Sequence, residues 1–248
     1  MKLDVLFGAA SVAPSDVAGR VVAVIDVLRA STTIAVAMAN GARAIVPFES
    51  SEEVILRSKS FERREVRLAG ERKMRTIPGF DFGNSPLEFT REAIEGRTVL
   101  FSTSNGTVAL VAVQGARDTV VASYVNYTAS LALLRAAARG GNDVTIVCAG
   151  RDRHFSLEDA ACAGRFVRGI ARRLPNVELN DAALTCALLD RRYGDDLARL
   201  FGDSAHGRAL ADAGFAEDLL VCASVDAYPV VPIYVDRQIT RLGPEWER

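Results

Sequence analysis

Residues 21–28 read VVAVIDVL, an almost unbroken apolar run that carries one carboxylate, Asp26, near its end. A strand buried on one face alternates apolar and polar residues, whereas a continuous run marks a strand covered on both faces. Residues 30–40 then show a helical pattern that stops at Gly41, a residue suited to a helix C-cap. The strand–helix unit recurs. Residues 44–48, 66–69, 98–103, 119–124 and 144–148 predict further strands, a helix start lies at 50–53, and another helix is predicted over 107–114. Such alternation predicts parallel βαβ units and a three-layer α/β/α fold with a mainly parallel sheet.

Beyond residue 156 helices dominate, predicted at 157–174, 181–193 and 207–213. Extended runs at 230–235 and 240–242 follow, and Pro229 and Pro232 predict an edge strand for the first of them. The 248 residues read as a single unit, within which two closely packed lobes, 1–130 and 131–248, meet somewhere in residues 126–141.

A net charge of −1 lacks the cationic surplus that phosphate-backbone affinity needs, which excludes nucleic acid as a partner. No stretch approaches the roughly 20 apolar residues of a membrane span, and Asp4 interrupts the apolar N-terminal run that a signal peptide would need. Cys148, Cys162, Cys186 and Cys222 form no CxxC pair and read as core thiols in a reducing, cytoplasmic compartment. The sequence leaves the oligomeric state open, with a homodimer as one option.

Open parallel sheets bind ligands beyond the carboxyl ends of their strands, so the polar residues after each apolar run are the candidates. Asp26 within a buried run demands a partner or a metal. Arg29 is suited to a bidentate oxyanion contact, and Ser31, Thr32 and Thr33 open the following helix. An Asp–Arg pair with an ordinary helix cap is the bland alternative. After the strand at 66–69 come Glu71 and Arg72, then PGFDFGNSP at 78–86, where Asn84 or Ser85 caps a turn and Pro86 opens it. STSNGT at 102–107 makes a phosphate cradle of hydroxyls and backbone N–H groups, although Asn-Gly turns are common and no GxxxxGK[ST] or GxGxxG is present. Cys148-Ala149-Gly150 leads through a basic loop holding Arg151, Arg153 and His154 to Ser156-Leu157-Glu158-Asp159. Ser156 and Asp159 have capping-box spacing, while Glu158 has no such structural duty. Paired carboxylates near a strand end suit a hard cation.

Spacing removes several routes to phosphate hydrolysis. The haloacid-dehalogenase arrangement needs a second Asp two residues after the first, where Leu28 stands. A cysteine phosphatase needs Cys-x₅-Arg after a strand. His154 occupies the Arg position relative to Cys148, and the Cys162–Arg168 match falls inside a predicted helix.

Taken together, IDVLRASTT, AGER, PGFDFGNSP, STSNGT and CAGRDRHFSLEDAACAG resemble, in order, the motifs of the 2-phosphosulfolactate phosphatase family. That resemblance implies a Mg²⁺-dependent phosphatase that converts 2-phosphosulfolactate to sulfolactate and phosphate, a step toward coenzyme M. It implies Asp26, Arg29, Arg72, Asn105 and Glu158 as catalytic residues. Asp26, Glu71, Asp81, Glu158 and Asp159 are the candidate metal ligands. Ser31, Thr32, Asn84, Ser85, Thr103, Gly106, Thr107, Gly150 and Arg151 are the candidate contacts to a small anionic phosphorylated substrate. The chain departs from the pattern within Lys73-Met74-Arg75 and at Arg153, so another small phosphorylated acid is the alternative substrate. A non-catalytic anion-binding module is the alternative outside enzymology.

Overall fold

The computed structural model describes residues 1–243 apart from Arg173 and Pro175. The first part of the chain holds β1 (Lys2–Leu6), α1 (Pro14–Val17), β2 (Val21–Ile25), α2 (Ala30–Ala39), β3 (Ala44–Pro47) and α3 (Ser51–Ser58). Next come β4 (Val66–Arg72), β5 (Arg75–Thr76), α4 (Arg91–Ile94), β6 (Thr98–Ser102), α5 (Gly106–Ala112) and β7 (Asp118–Ala122). Then follow α6 (Tyr127–Arg139), β8 (Val144–Cys148), α7 (Leu157–Ala171), β9 (Glu178–Leu179) and α8 (Asp181–Tyr193). Helices α9 (Leu197–Asp203), α10 (Ala205–Asp212) and α11 (Ala216–Cys222) precede a hairpin of β10 (Pro232–Val235) and β11 (Gln238–Arg241).

All the strands join one sheet in the order β5-β4-β6-β3-β11-β10-β7-β2-β8-β1-β9. Pairing is parallel within β4-β6-β3 and within β7-β2-β8-β1-β9, as an α/β/α fold requires. The sheet runs through both the 1–130 and 131–248 segments, because β8 is hydrogen-bonded between β2 and β1.

Strand β2 shows why its sequence is continuously apolar. Val21, Ala23 and Ile25 enter one core layer with Leu134 of α6 and Phe166 of α7. Val22 and Val24 enter the opposite layer with Ile34 of α2 and Leu110 of α5. Ser50 caps α3 through the expected capping box with Glu53.

One expectation is overturned. The segment around Pro229 and Pro232 is not an edge: β10 pairs with β7 and β11 pairs with β3, so the C-terminal hairpin sits at the middle of the sheet. Pro232 is tolerated because it is the first residue of its strand, where no ladder donor is required of it.

The hairpin also reverses direction across the sheet. Three antiparallel links separate β7 from β3, so β3, β4 and β6 run opposite to β2, β7 and β8 by ladder parity. A flat sheet would place the carboxyl ends of β2 and β6 at opposite edges. Twist of about 20–25° per strand pair, accumulated over five steps, turns one set by roughly 100–125° relative to the other. The two sets of loops then meet.

Candidate active site

Asp26 follows β2 and is 6% exposed. Its Oδ1 accepts from the Ala30 N–H at 3.2 Å, while Oδ2 has no hydrogen-bond donor among the described residues. Gly106, at the start of α5, lies directly against that free oxygen: a Cβ there would stand 2.7 Å from Asp26 Oδ2 and 2.5 Å from the Ala30 Cβ. The close approach therefore requires glycine. Burial pushes the Asp26 carboxyl up to about 6. His206 and the Ala30 N–H oppose that shift, and Glu71 and Glu158 add to it.

Three loops converge here. Asn105 Oδ1 accepts from the Asp152 N–H at 3.0 Å, which ties the β6–α5 turn to the β8–α7 loop. Glu71, at the end of β4, accepts from the Ser104 N–H at 2.8 Å and the Met74 N–H at 2.9 Å. Asp159 of α7 accepts from the Val27 N–H at 2.8 Å and the Gly150 N–H at 3.1 Å, clamping the ends of β2 and β8 together. Burial, then the charges of Asp26 and Glu158, push the Asp159 carboxyl well above the usual carboxylate range.

Asp159 therefore does not form the expected capping box. The Ser156 hydroxyl caps nothing and has no partner among the described residues. Gly150 permits the tight loop, because its φ is +72° and a Cβ would stand 2.3 Å from the His154 carbonyl oxygen.

Several candidates are occupied by local structure. Thr103 and Thr107 cap each other, each N–H donating to the other's hydroxyl. The Ser31 hydroxyl lies between the Asp26 N–H and the Val24 carbonyl, and the Thr32 hydroxyl bonds Val27 and Ser123. Arg72 spans Ser102 and the carbonyls of Glu49 and Glu71. Asp81 stands apart, held by Arg63 and the Leu68 N–H. Burial opposes the resulting downward shift of its carboxyl, and Arg63 outweighs burial. A hollow of about 630 Å³ beside Asp81 is lined by Arg63, Arg64, Arg67 and Phe82 and by none of the converging residues. Arg151 sits in the β8–α7 loop, exchanging backbone hydrogen bonds with His154.

The C-terminal helices supply side chains that the motifs do not predict. Arg29, 3% exposed, pairs with Asp218 of α11 at 2.5 Å and lies over the Phe215 ring, while Ser85 Oγ donates to the other Asp218 oxygen at 2.7 Å. Asn84 is next to Ser85, and its buried Oδ1 has no partner among the described residues. Glu158, 1% exposed, accepts from the Ser204 hydroxyl at 2.7 Å and pairs with His206 Nδ1 at 3.1 Å. Burial works to raise the Glu158 carboxyl, but His206 and Ser204 outweigh it and hold it below its ordinary value. One signal pointed toward this dyad: a buried carboxylate needs a partner, and the chain has only two histidines.

Among the described residues no three His, Cys, Asp or Glu side chains form a preassembled metal cage. The donor set nevertheless suits Mg²⁺, which keeps several waters and takes only one or two carboxylates. Asp26 has the free oxygen for such a role, and the charge of Glu71 acts on its carboxyl.

The family model described as 2-phosphosulpholactate phosphatase matches residues 9–237. The chain belongs to that family. Membership makes it a phosphoric monoester hydrolase and accounts for the in-order run of motifs. A Symbiobacterium thermophilum protein named probable 2-phosphosulfolactate phosphatase is 43% identical over 227 residues, covering 92% of this chain and 96% of that relative. Proteins of the same name from Caldanaerobacter subterraneus and Clostridium acetobutylicum are 36% and 32% identical. They cover 90% and 96% of this chain, and 90% and 100% of their own lengths. Family members thus align with both the motif-bearing loops and most of the C-terminal helices. No helix among the described residues is long and apolar enough to cross a membrane.

Proposed function

We propose that this protein hydrolyses 2-phosphosulfolactate to sulfolactate and phosphate with the help of Mg²⁺. The observation that carries the reading is the unpartnered Oδ2 of the buried Asp26, packed against Gly106 of the Asn105–Gly106 turn, in a chain whose relatives bear that activity in their names. Asp26 would hold the ion, with Glu71 as a second carboxylate, and the ion would supply charge neutralisation to the phosphoryl group. Arg29 has guanidinium N–H groups beyond the one committed to Asp218, and these would meet the substrate's acidic groups. The backbone N–H groups of Asn105 and Gly106 would donate to the phosphoryl oxygens. Positioning and electrostatics of this kind supply most of the catalysis in phosphoryl transfer. Four buried free thiols suit a reducing compartment, so we place the enzyme in the cytoplasm.

The test is phosphate release from a panel of small phosphorylated acids. Purified protein with Mg²⁺ should turn over 2-phosphosulfolactate, and EDTA or Asp26→Asn should lower the rate by at least about 10³-fold, the scale of lost electrostatic stabilisation. No release from any member of the panel, with EDTA without effect, would sink the assignment.

A further inference from the structure

Strand β4 lies second from the end of the sheet, yet β5 pairs only with its last two residues, Glu71 and Arg72. Over the rest of its outer edge a loop takes the place of a strand. The Asp81 and Phe82 N–H groups both donate to the Leu68 carbonyl, at 2.8 and 3.2 Å, and the Gly70 N–H donates to the Phe82 carbonyl at 3.1 Å. Asp81 Oδ2 accepts from the Leu68 N–H at 2.9 Å. Beside this cover, Arg63, Arg64, Arg67, Asp81 and Phe82 enclose the hollow of about 630 Å³. That volume falls within the roughly 300–1,000 Å³ of small-molecule sites.

The charges around the hollow do not balance. Three guanidinium groups line it against the single carboxylate of Asp81, and Arg63 engages both oxygens of that carboxylate. Arg64 meets Glu62 at 2.8 Å, but both side chains are largely exposed, so water and salt weaken the pair. Arg67 has no carboxylate partner among the described residues. Its Nη1 donates to the carbonyls of Val66 at 2.8 Å and Arg63 at 3.4 Å, which fixes the group and leaves Nε and Nη2 unpaired among the described residues. Burial, then the charge of Arg97, pulls the Arg67 guanidinium below its ordinary value, with Asp81 opposing the shift and Arg63 adding to it. An anion in the hollow would relieve this crowding of like charges. Phe82 forms the apolar wall, its ring set against Phe89 with centroids 5.5 Å apart.

We propose that this hollow is a second anion site, which takes a phosphate- or phosphonate-type dianion carried on an apolar body. Arg64 and Arg67 hold the oxygens, and Phe82 packs against the body. Asp26, Asn105 and Glu158 are absent from the lining, so the site needs neither the catalytic loops nor a metal. Asp81 has its role here, neutralising Arg63 and pinning the loop to β4.

The probe is phenylphosphonate, a dianion with a ring and no ester bond to hydrolyse, titrated calorimetrically into the full chain in EDTA at about pH 8 and low salt. The wild type should bind one equivalent that the double variant Arg64→Gln, Arg67→Gln lacks. Arg64→Glu, a change at an exposed side chain that the fold tolerates, should weaken the same equivalent at least about tenfold. Methylphosphonate should bind the wild type several-fold more weakly than phenylphosphonate, because it leaves Phe82 untouched. Absence of binding to the wild type at millimolar probe would overturn the proposal. So would an equivalent that both variants retain unchanged, which would place the probe at the catalytic loops, or equal affinity for the two phosphonates. Turnover is not read, so the outcome is independent of the phosphatase assignment.

Discussion

Asp26 carries the sharpest residue-scale prediction. Its carboxyl stands at about 6 in the fold against 3.8 in a free chain, so the folded state binds the proton more tightly than the unfolded state. Ionised Asp26 therefore costs stability. The cost is absent below the unfolded value, grows as pH rises through that window, and is complete above the folded value. Asp26→Asn, without metal, should gain about 1–3 kcal/mol at pH 8 and nothing at pH 3.5, read as melting temperature in EDTA. Added Mg²⁺ should raise the melting temperature of the wild type and leave the variant unmoved, a binding readout independent of turnover. Arg29 makes the complementary case. Asp218→Ala leaves a buried guanidinium without its carboxylate and should cost about 3–5 kcal/mol in denaturant unfolding, whereas removing an exposed pair such as Arg91–Glu95 should cost under about 1. Asp26 was legible in the sequence because a lone carboxylate interrupts a buried run. Asp218 was not, because its partner lies 189 residues away and no local spacing marks the pairing; for His206, 48 residues from Glu158, the scarcity of histidines was the one signal.

Strain concentrates at single turns on the scale of elements. The β4–β5 hairpin pairs Arg72 with Arg75, so Lys73 and Met74 form its two-residue loop, with φ of +51° and +67°. Both angles are left-handed, as the favoured two-residue hairpin turns demand, and neither residue is the Asn or Gly that meets the demand cheaply. Lys73→Asn with Met74→Gly should stabilise the chain by about 1 kcal/mol, a rise of roughly 2–4 °C in melting temperature. The Met74 N–H bond to Glu71 is a backbone contact and survives the change. A fall in melting temperature would show that Met74's apolar contacts outweigh the turn. This turn coincides with the Lys73-Met74-Arg75 departure from the family's pattern, and the structure gives it a physical meaning: side chains occupy a loop whose backbone favours glycine. The helix at 181–193 was legible to the residue, because Asn180 caps it and Gly194 ends it. The short α9 and α11 were not, because helices of seven residues carry less than two full periods of pattern.

For the whole molecule, the parallel units were legible from alternation alone, since each strand and helix declares itself within about ten residues. The order of the sheet was not, because strand pairing is long-range and the prolines of the last segment imitate an edge. The hairpin β10–β11 in fact bridges the two parallel sets, with Ile233 opposite Val120 of β7 and Ile239 opposite Ile45 of β3. Ile239 is fully buried, and Asn126, just after β7, donates to the Val230 carbonyl. Removing residues 230–243 would therefore expose two strand edges at the centre of the sheet rather than trim its rim, and would uncover Val120, Ile45 and Tyr234's partners in the same step. A true edge strand could be lost with local fraying. Loss of a central one should abolish the cooperative unfolding transition and yield an aggregating product, seen as insoluble expression and as a melt without a baseline. Removing β9 (Glu178–Leu179), a real edge, by Leu179→Pro should leave a cooperative melt lowered by only a few degrees. If the truncated chain melts as cooperatively as that edge variant, the two parallel sets fold without the hairpin and its central role is refuted.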